Sequence, residues 1–411
     1  MRWTLIACGL IGGALALSLG WGQEPAATTQ EKVTPTKLVL DTPAAKRDLA
    51  KLSLLERQVY LSGQRATDWL ERGNRPDGRF LFGYLPDLRA PMEGFHYLTQ
   101  VEAARALARA ARFYQNKQAD AIARQAILVL LLDTTLDPKD NQIRTTSLPS
   151  TLVNRLAAAG LLILAIHELP DPGKDLVEQA RQLGNYIRKQ QRADGSLIVT
   201  EGDGKVEADV INYYTGPVLL ALVRLGQIDM VRRAMPTYLK RWQEHKNMAM
   251  IPWHTAAYAE AYLKTREQAF ADTVFEMNDW LSALQHQQPD ARRPLWLGGF
   301  KNWRDGKEGT EAPEAAGAIY VESLTQACRV ARQAGDVNRF QRYQEGTQRG
   351  LGFLSTLQYT EANTQHFADW YRPVLVGAFH TSHEDGNLRL DNTTRTVSAL
   401  VQYLEGVADI H

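Results

Sequence analysis

Tyr186-Ile187-Arg188-Lys189-Gln190-Gln191-Arg192-Ala193-Asp194-Gly195-Ser196-Leu197 is the stretch from which the fold is read. A helical segment closes on an aromatic–aliphatic pair, and a turn built on Asp-Gly follows before the next helix begins. The pair, or its equivalent, recurs at Trp69-Leu70, Leu130-Leu131, Tyr238-Leu239, Trp280-Leu281 and Phe353-Leu354, making six units. The turn recurs as Arg75-Pro76-Asp77-Gly78-Arg79-Phe80 and, shorter, as Gly298-Gly299-Phe300 and Gly377-Ala378-Phe379. The spacing is looser than that of a compact solenoid, and six helical hairpins of this kind are best arranged in a ring.

Outward from this stretch, helical periodicity is strong and β-alternation nearly absent. The pattern predicts twelve helices, over 48–73, 94–116, 119–133, 147–168, 173–191, 209–226, 228–246, 252–265, 267–287, 313–334, 336–358 and 391–408. Pro149 and Pro252 mark helix starts, and Pro172-Gly173 and Gly335-Asp336 separate partners. One kind of helix is small and apolar around much of its surface, as in Leu156 to Ile166 or Ala315 to Ala331. The other carries charge on one face, as in Arg181 to Gln191. The first kind belongs inside and the second faces water. Their alternation predicts an all-α fold, an (α/α)6 toroid of inner and outer helices over 47–411.

The connections are unequal. Inner-to-outer turns are short (Asn116-Lys117, Gln227, Gly335), whereas outer-to-inner loops are long: 74–93, 134–146, 192–208, 247–251, 288–312 and 359–390. Long loops usually carry function. All of these gather where inner helices begin, so a ligand is expected in that mouth.

Met1-Arg2-Trp3-Thr4, the apolar run Leu5 to Leu19 and the small residues Gly20 and Gly22 resemble an export signal over 1–22. Periplasmic or secreted placement is expected. A membrane tether follows only if the apolar run is retained, since it sits near the length of a span. Residues 23–46, rich in Ala, Thr, Pro and Lys, are expected to form a disordered linker. A net charge of +1 without a basic run excludes an electrostatic nucleic-acid binder. With only Cys8 and Cys328, and Cys8 in the signal, no internal disulfide is expected.

Gln191-Arg192-Ala193-Asp194-Gly195-Ser196-Leu197 resembles the Gln-x-x-Asp-Gly-Ser-Trp repeat of terpene cyclases, with Leu197 in place of Trp. Over about 48–408 the chain is similar to the helical-toroid superfamily: terpenoid cyclases, prenyltransferase β-subunits and six-hairpin glycan-processing enzymes. The Asp-x-Asp-Asp motif of the cyclases is missing, and Cys328 lacks partners for the prenyltransferase zinc set. The glycan-processing branch has no universal motif to violate, and export suits it. The resemblance therefore implies carbohydrate chemistry.

Candidate residues cluster at inner-helix starts. Glu93 and His96, three apart, are placed for acid–base work at the mouth. Asp209-Val210-Ile211-Asn212-Tyr213-Tyr214 offers an amide to neutralise a sugar carboxylate and a phenol to take a proton. Trp253 and His254 offer a stacking face and a base. Glu308, Glu311, Glu314 and Glu322 follow the Trp303 loop, and Glu314 opposed to Glu93 would suit glycoside hydrolysis. The last loop brings His366, Asp369, Trp370, Arg372, His380, His383, Asp385 and Arg389. Either Arg372 or Arg389 is placed to pair a substrate carboxylate. No metal site and no cofactor are expected.

The leading expectation is an exported glycan-processing enzyme, either a hydrolase or a polysaccharide lyase or epimerase, acting on a poly- or oligosaccharide. Asn212, Tyr214 and His254 lean to elimination or epimerisation; Glu93 and Glu314 lean to hydrolysis. The alternatives are a non-catalytic scaffold binding glycan or protein, and, further off, a terpenoid cyclase-like enzyme.

Overall fold

The computed structural model describes residues 49–200, 208–304 and 306–406, without the side chains of 208 and 209. The expected signal and linker lie outside this range. Helix starts follow local chemistry. Helix α1 (Leu54–Gly73) opens on a capping box: Glu56 N–H donates to Ser53 Oγ (3.3 Å) and Ser53 N–H to the Glu56 carboxylate (2.8 Å). Asn116 caps α3 (Lys117–Leu132), its side-chain oxygen accepting from the N–H groups of Gln118 and Ala119. Asn154 caps α4 (Arg155–Glu168) in the same way.

Six helices form a closed inner ring. Helix α2 (Tyr97–Tyr114) packs on α4, α4 on α6 (Ala208–Arg224), and α6 on α8 (Ile251–Thr265). Helix α8 packs on α10 (Ala318–Ala334), α10 on α13 (Leu390–Gly406), and α13 returns to α2. The outer layer is α1, α3, α5 (Gly173–Lys189), α7 (Ile228–Glu244), α9 (Gln268–Ala283) and α11 (Val337–Thr356). Five pairs are successive in the chain; the sixth joins α13 to α1. A single turn, α12 (Arg372–Leu375), sits in the last long loop. The chain is an (α/α)6 toroid. Burial explains the layering: α4 is buried at every position from Leu156 to Ile166, whereas α5 buries one stripe of Leu176, Ala180, Leu183 and Ile187.

The rim carries short strands that periodicity did not predict. Strands β1 (Gly83–Leu85), β2 (Ala90–Pro91) and β7 (Leu388–Arg389) form an antiparallel sheet in the order β2-β1-β7, tying the first long loop to the last. Strands β3 (Thr134–Asp137) and β4 (Asp140–Thr146) make a hairpin, and β5 (Trp303–Arg304) pairs with β6 (Lys307–Glu308). The helix expected from 147 begins only at Arg155. Leu152 and Val153 donate to Pro149 O in a turn, and Asn154 supplies the cap. Likewise α10 begins at Ala318, after a single 3-10 turn over Ala315–Gly317.

The repeated turn is a mechanical device. Asn74, Gln191, Gln285 and Gln358 each bridge to Phe80, Leu197, Phe300 and Phe379 across the turn. The Gln285 and Gln358 amides donate both to the turn glycine's carbonyl (Gly298 and Gly377) and to a carbonyl of the next outer helix (Gly346 and Ser62). Gly195 has φ +83°, and a Cβ there would lie 2.2 Å from Arg233 O in α7. The turn thus lies flat on the following outer helix because it bears no side chain.

Polar groups fill the ring axis below the mouth. Arg109 pairs with Glu405 (2.6 Å) and Glu322 (3.4 Å), and Arg112 with Glu168 (2.6 Å) and Glu405 (3.2 Å). Arg224 pairs with Glu260 and, at 3.8 Å, with Glu168. Burial alone would raise the Glu168 carboxyl, but Arg109, Arg224, Arg112 and Arg105 hold it down at about 2.

Candidate functional site

A cavity of about 340 Å³ opens at the mouth of the ring. Every inner helix contributes: Thr99 and Glu102 from α2, Leu161 from α4, Tyr213, Tyr214 and Pro217 from α6, Pro252 and Trp253 from α8, Tyr320 from α10, and Arg395 from α13. The loops add His96, Ala249, Phe300, Asn302 and Glu314. Residues far apart in the chain meet here because the long loops share one rim.

The cavity brings together His96, Tyr213, Tyr214, Trp253 and Glu314 of the residues singled out from sequence. His96 is the N-cap of α2: its Nδ1 accepts the Thr99 N–H (3.3 Å) and lies 3.0 Å from the Thr99 hydroxyl. Burial, with Glu102 and Tyr213 nearby, raises the Tyr214 phenol. Trp253 lies under the Arg105 guanidinium, 4.8 Å from the ring centroid.

Other candidates lie elsewhere. Glu93 is exposed and outside the cavity, because α2 starts only at Tyr97 and the chain through Gly94 is not helical, so Glu93 and His96 do not share a helix face. His254 is sealed in the wall: Nδ1 donates to Met250 O (2.8 Å), and the ring packs between Tyr238 and Tyr258. Burial, against the bond to Met250, lowers it to about 4, so it stays neutral. Asn212 is buried and outside this cavity's lining, its amide oxygen accepting from Arg241 Nε (3.5 Å). The Asp209 side chain lies outside the described residues.

Trp303 stands beside the cavity, donating from Nε1 to Lys246 O (3.2 Å) and meeting Trp280 edge to face. Trp370, 68% exposed, faces Arg89. Arg372 holds its own loop, donating to Gln365 O and Phe367 O and pairing with Asp369. Arg389 is engaged by Asp391 at 3.0 Å. Glu308 pairs with Lys301, and Glu322 belongs to the axial network. In the last loop His380 Nδ1 donates to Ser382 O and His383 meets the Thr356 hydroxyl. Among the described residues no three His, Cys, Asp or Glu side chains cluster as metal ligands. Cys328 is a core residue, its thiol pushed up to about 12 by burial.

The residues missed from sequence are Glu102 and Arg395. Burial raises the Glu102 carboxyl although Arg395 and Arg105 draw it down. It has no hydrogen-bond or ion-pair partner among the described residues, and it lines the cavity. Arg395 lies 3.8 Å from Asp391, and its Nε is buried without a partner there. The available signal was the single carboxylate of α2, Glu102, on a stripe shared with Arg105, Arg109 and Arg112 in a helix otherwise rich in Ala and Leu. A carboxyl with its pKa raised by burial in a cavity, a second carboxyl on the rim at Glu314 and aromatic walls together suit proton donation to a bound polar ring.

No model of a known protein family matches the chain, and no curated protein matches it either. Solved structures do. An unsaturated glucuronyl hydrolase specific for heparin is 13% identical, covers 85% of this chain and 98% of its own, and superposes with a TM-score of 0.55. An α-1,6-mannanase of Salegentibacter sp., solved as an inactive variant with α-1,6-mannotetrose, is 12% identical over 83% of this chain and 98% of its own, with a TM-score of 0.55. An unsaturated glucuronyl hydrolase of Streptococcus agalactiae is 11% identical over 87% of this chain and 94% of its own, also at 0.55. Identity this low speaks for architecture alone, and on that ground the chain shares the helical toroid of these enzymes.

Proposed function

We propose that the protein is an exported glycan-processing enzyme, and that it hydrolyses a glycosidic bond in the axial cavity. The observation carrying this reading is Glu102, a half-buried carboxyl with a raised pKa and no hydrogen-bond or ion-pair partner among the described residues, sharing a cavity with Glu314. In this reading Glu102 is the proton donor to the departing sugar oxygen. The Glu314 carboxylate serves the attacking side, as nucleophile or as base toward water. Trp253, Tyr213 and Tyr320 supply faces for sugar rings. The fold likeness to a glucuronyl hydrolase and a mannanase is consistent with it. Export rests on residues 1–22 and is part of the proposal.

Hydrolysis is favoured over elimination because the latter needs a base for a carbon-bound proton. Tyr214, the phenol in the cavity, has its pKa raised by burial, which works against phenolate formation. His254 is enclosed in the wall, and His96, which does line the cavity, has its Nδ1 lone pair engaged by the Thr99 N–H.

The test is a panel of oligosaccharides scored for new reducing ends and for unsaturated products. Reducing ends without unsaturation are expected. Glu102→Gln is expected to lower kcat by ~10²–10⁴-fold. Because Glu102 acts in its protonated form, wild-type activity should fall as pH rises through its raised pKa, and that limb should vanish in the variant. Unsaturated products, or full activity in Glu102→Gln, would overturn the assignment.

A further inference from the structure

The cavity is near the lower end of ligand-site volumes, ~300–1,000 Å³, at about 340 Å³. A chain of several sugars must therefore run out over the rim. One exit is built for it. A trough of about 860 Å³ adjoins the cavity, and Tyr213, Ala249, Asn302 and Tyr320 line both. Four basic side chains border the trough, Arg241, His245, Lys246 and Arg304. Among the described residues its one lining carboxylate, Glu244, pairs with Lys240, which lies outside the lining. Trp303 stands among them with its indole N–H fixed on Lys246 O and one edge on Trp280. Tyr213, 54% exposed, marks the junction.

We infer that the trough binds the continuation of an acidic oligosaccharide whose reacting unit occupies the cavity. This rests on the reading of the site as glycan-processing. Fixed aromatic faces suit sugar rings, whereas Arg241, Lys246 and Arg304, cations at successive points of the described trough, suit carboxylate or sulfate substituents along the same chain. The protein as a whole is nearly neutral, at +1, so the sign of the trough is local.

Calorimetric titration of the full chain with four probes tests this: a uronate tetrasaccharide, a sulfated tetrasaccharide, a neutral tetrasaccharide and a single uronic acid. At least one acidic tetrasaccharide should bind about tenfold more tightly than the neutral one, and should weaken as salt is raised. Arg241→Ala with Lys246→Ala should remove about tenfold of that affinity and leave neutral binding unchanged. Which acidic probe responds identifies the substituent. Lys246 is exposed, so Lys246→Ala alone keeps the test valid should Arg241→Ala disturb Asn212. Equal affinity for acidic and neutral chains, no gain over the single uronic acid, or unchanged binding in both variants would overturn the inference. Turnover of a short or neutral glycan in that case would leave the hydrolase reading standing. Absence of binding and turnover with every sugar would sink both.

Discussion

Glu102 is asked to be both desolvated and ionisable, and the two demands conflict. Burial raises its folded-state pKa above the ordinary 4.5. Its contribution to stability is therefore complete below that ordinary value and is lost as pH rises through the raised one. Replacing it with Gln removes the charge and keeps the shape. Glu102→Gln should therefore melt at a higher temperature than wild type at pH 8, with the gap closing toward pH 4. A lower melting temperature at pH 8 would contradict the burial argument. Activity lost with stability gained is the pattern of a functional residue. At this scale the sequence was only half legible. It marked Ile251-Pro252-Trp253-His254 and Asn212-Tyr213-Tyr214 as inner-helix starts, and the cavity does draw on both. Successive helical residues point about 100° apart, so Trp253 faces the axis while His254 enters the wall. Nothing local in the sequence says which neighbour turns which way.

The elements themselves were easier to read. The helices follow apolar stripes and caps, and the Asp-Gly turns were visible as a repeat, although their purpose is packing. Gly195→Ala forces a left-handed residue to carry a Cβ against the α7 backbone. It should destabilise by more than ~1 kcal/mol, read as a lower denaturant midpoint at unchanged slope; an unchanged midpoint would mean that the turn lifts off freely. The rim strands were illegible as periodicity because several are two residues long. The β3–β4 hairpin did leave a trace in Thr134-Thr135 and Thr145-Thr146, whose β-branched side chains favour strands. Another clue lay unused in α2, where Glu102, Arg105, Arg109 and Arg112 fall at helical spacing on an otherwise apolar helix. That stripe is the axial face, carrying the site at its top and the ionic network below.

Across the whole molecule, the ring holds because six inner helices close on themselves and because charges along the axis neutralise one another. Alternation of two helix kinds was enough to anticipate the closure. The ionic axis was not anticipated, since pairs such as Arg109–Glu405 and Arg224–Glu168 join distant helices. Glu168, held at about 2 against an ordinary 4.5, stabilises the fold above pH 4.5, and that contribution is lost as pH falls through 2. Wild type should therefore lose stability steadily across this window. Glu168→Gln should show a flatter dependence there and a deficit of ~3–5 kcal/mol at neutral pH, measured by denaturant titration at each pH. Parallel curves for the two proteins would remove Glu168 from the acid response.

The pairing of α13 with α1 carries one more consequence. Helices α1 and α13, the first and last α-helices among the described residues, pack as neighbours, and the Tyr403 phenol near the end of α13 is raised by burial with help from Glu56 near the start of α1. Their order around the circle is cyclic, and the covalent break between them occupies the position of an ordinary inner-to-outer turn. The numbering thus has an origin that the architecture lacks, and circularly permuted versions of the chain would describe the same object.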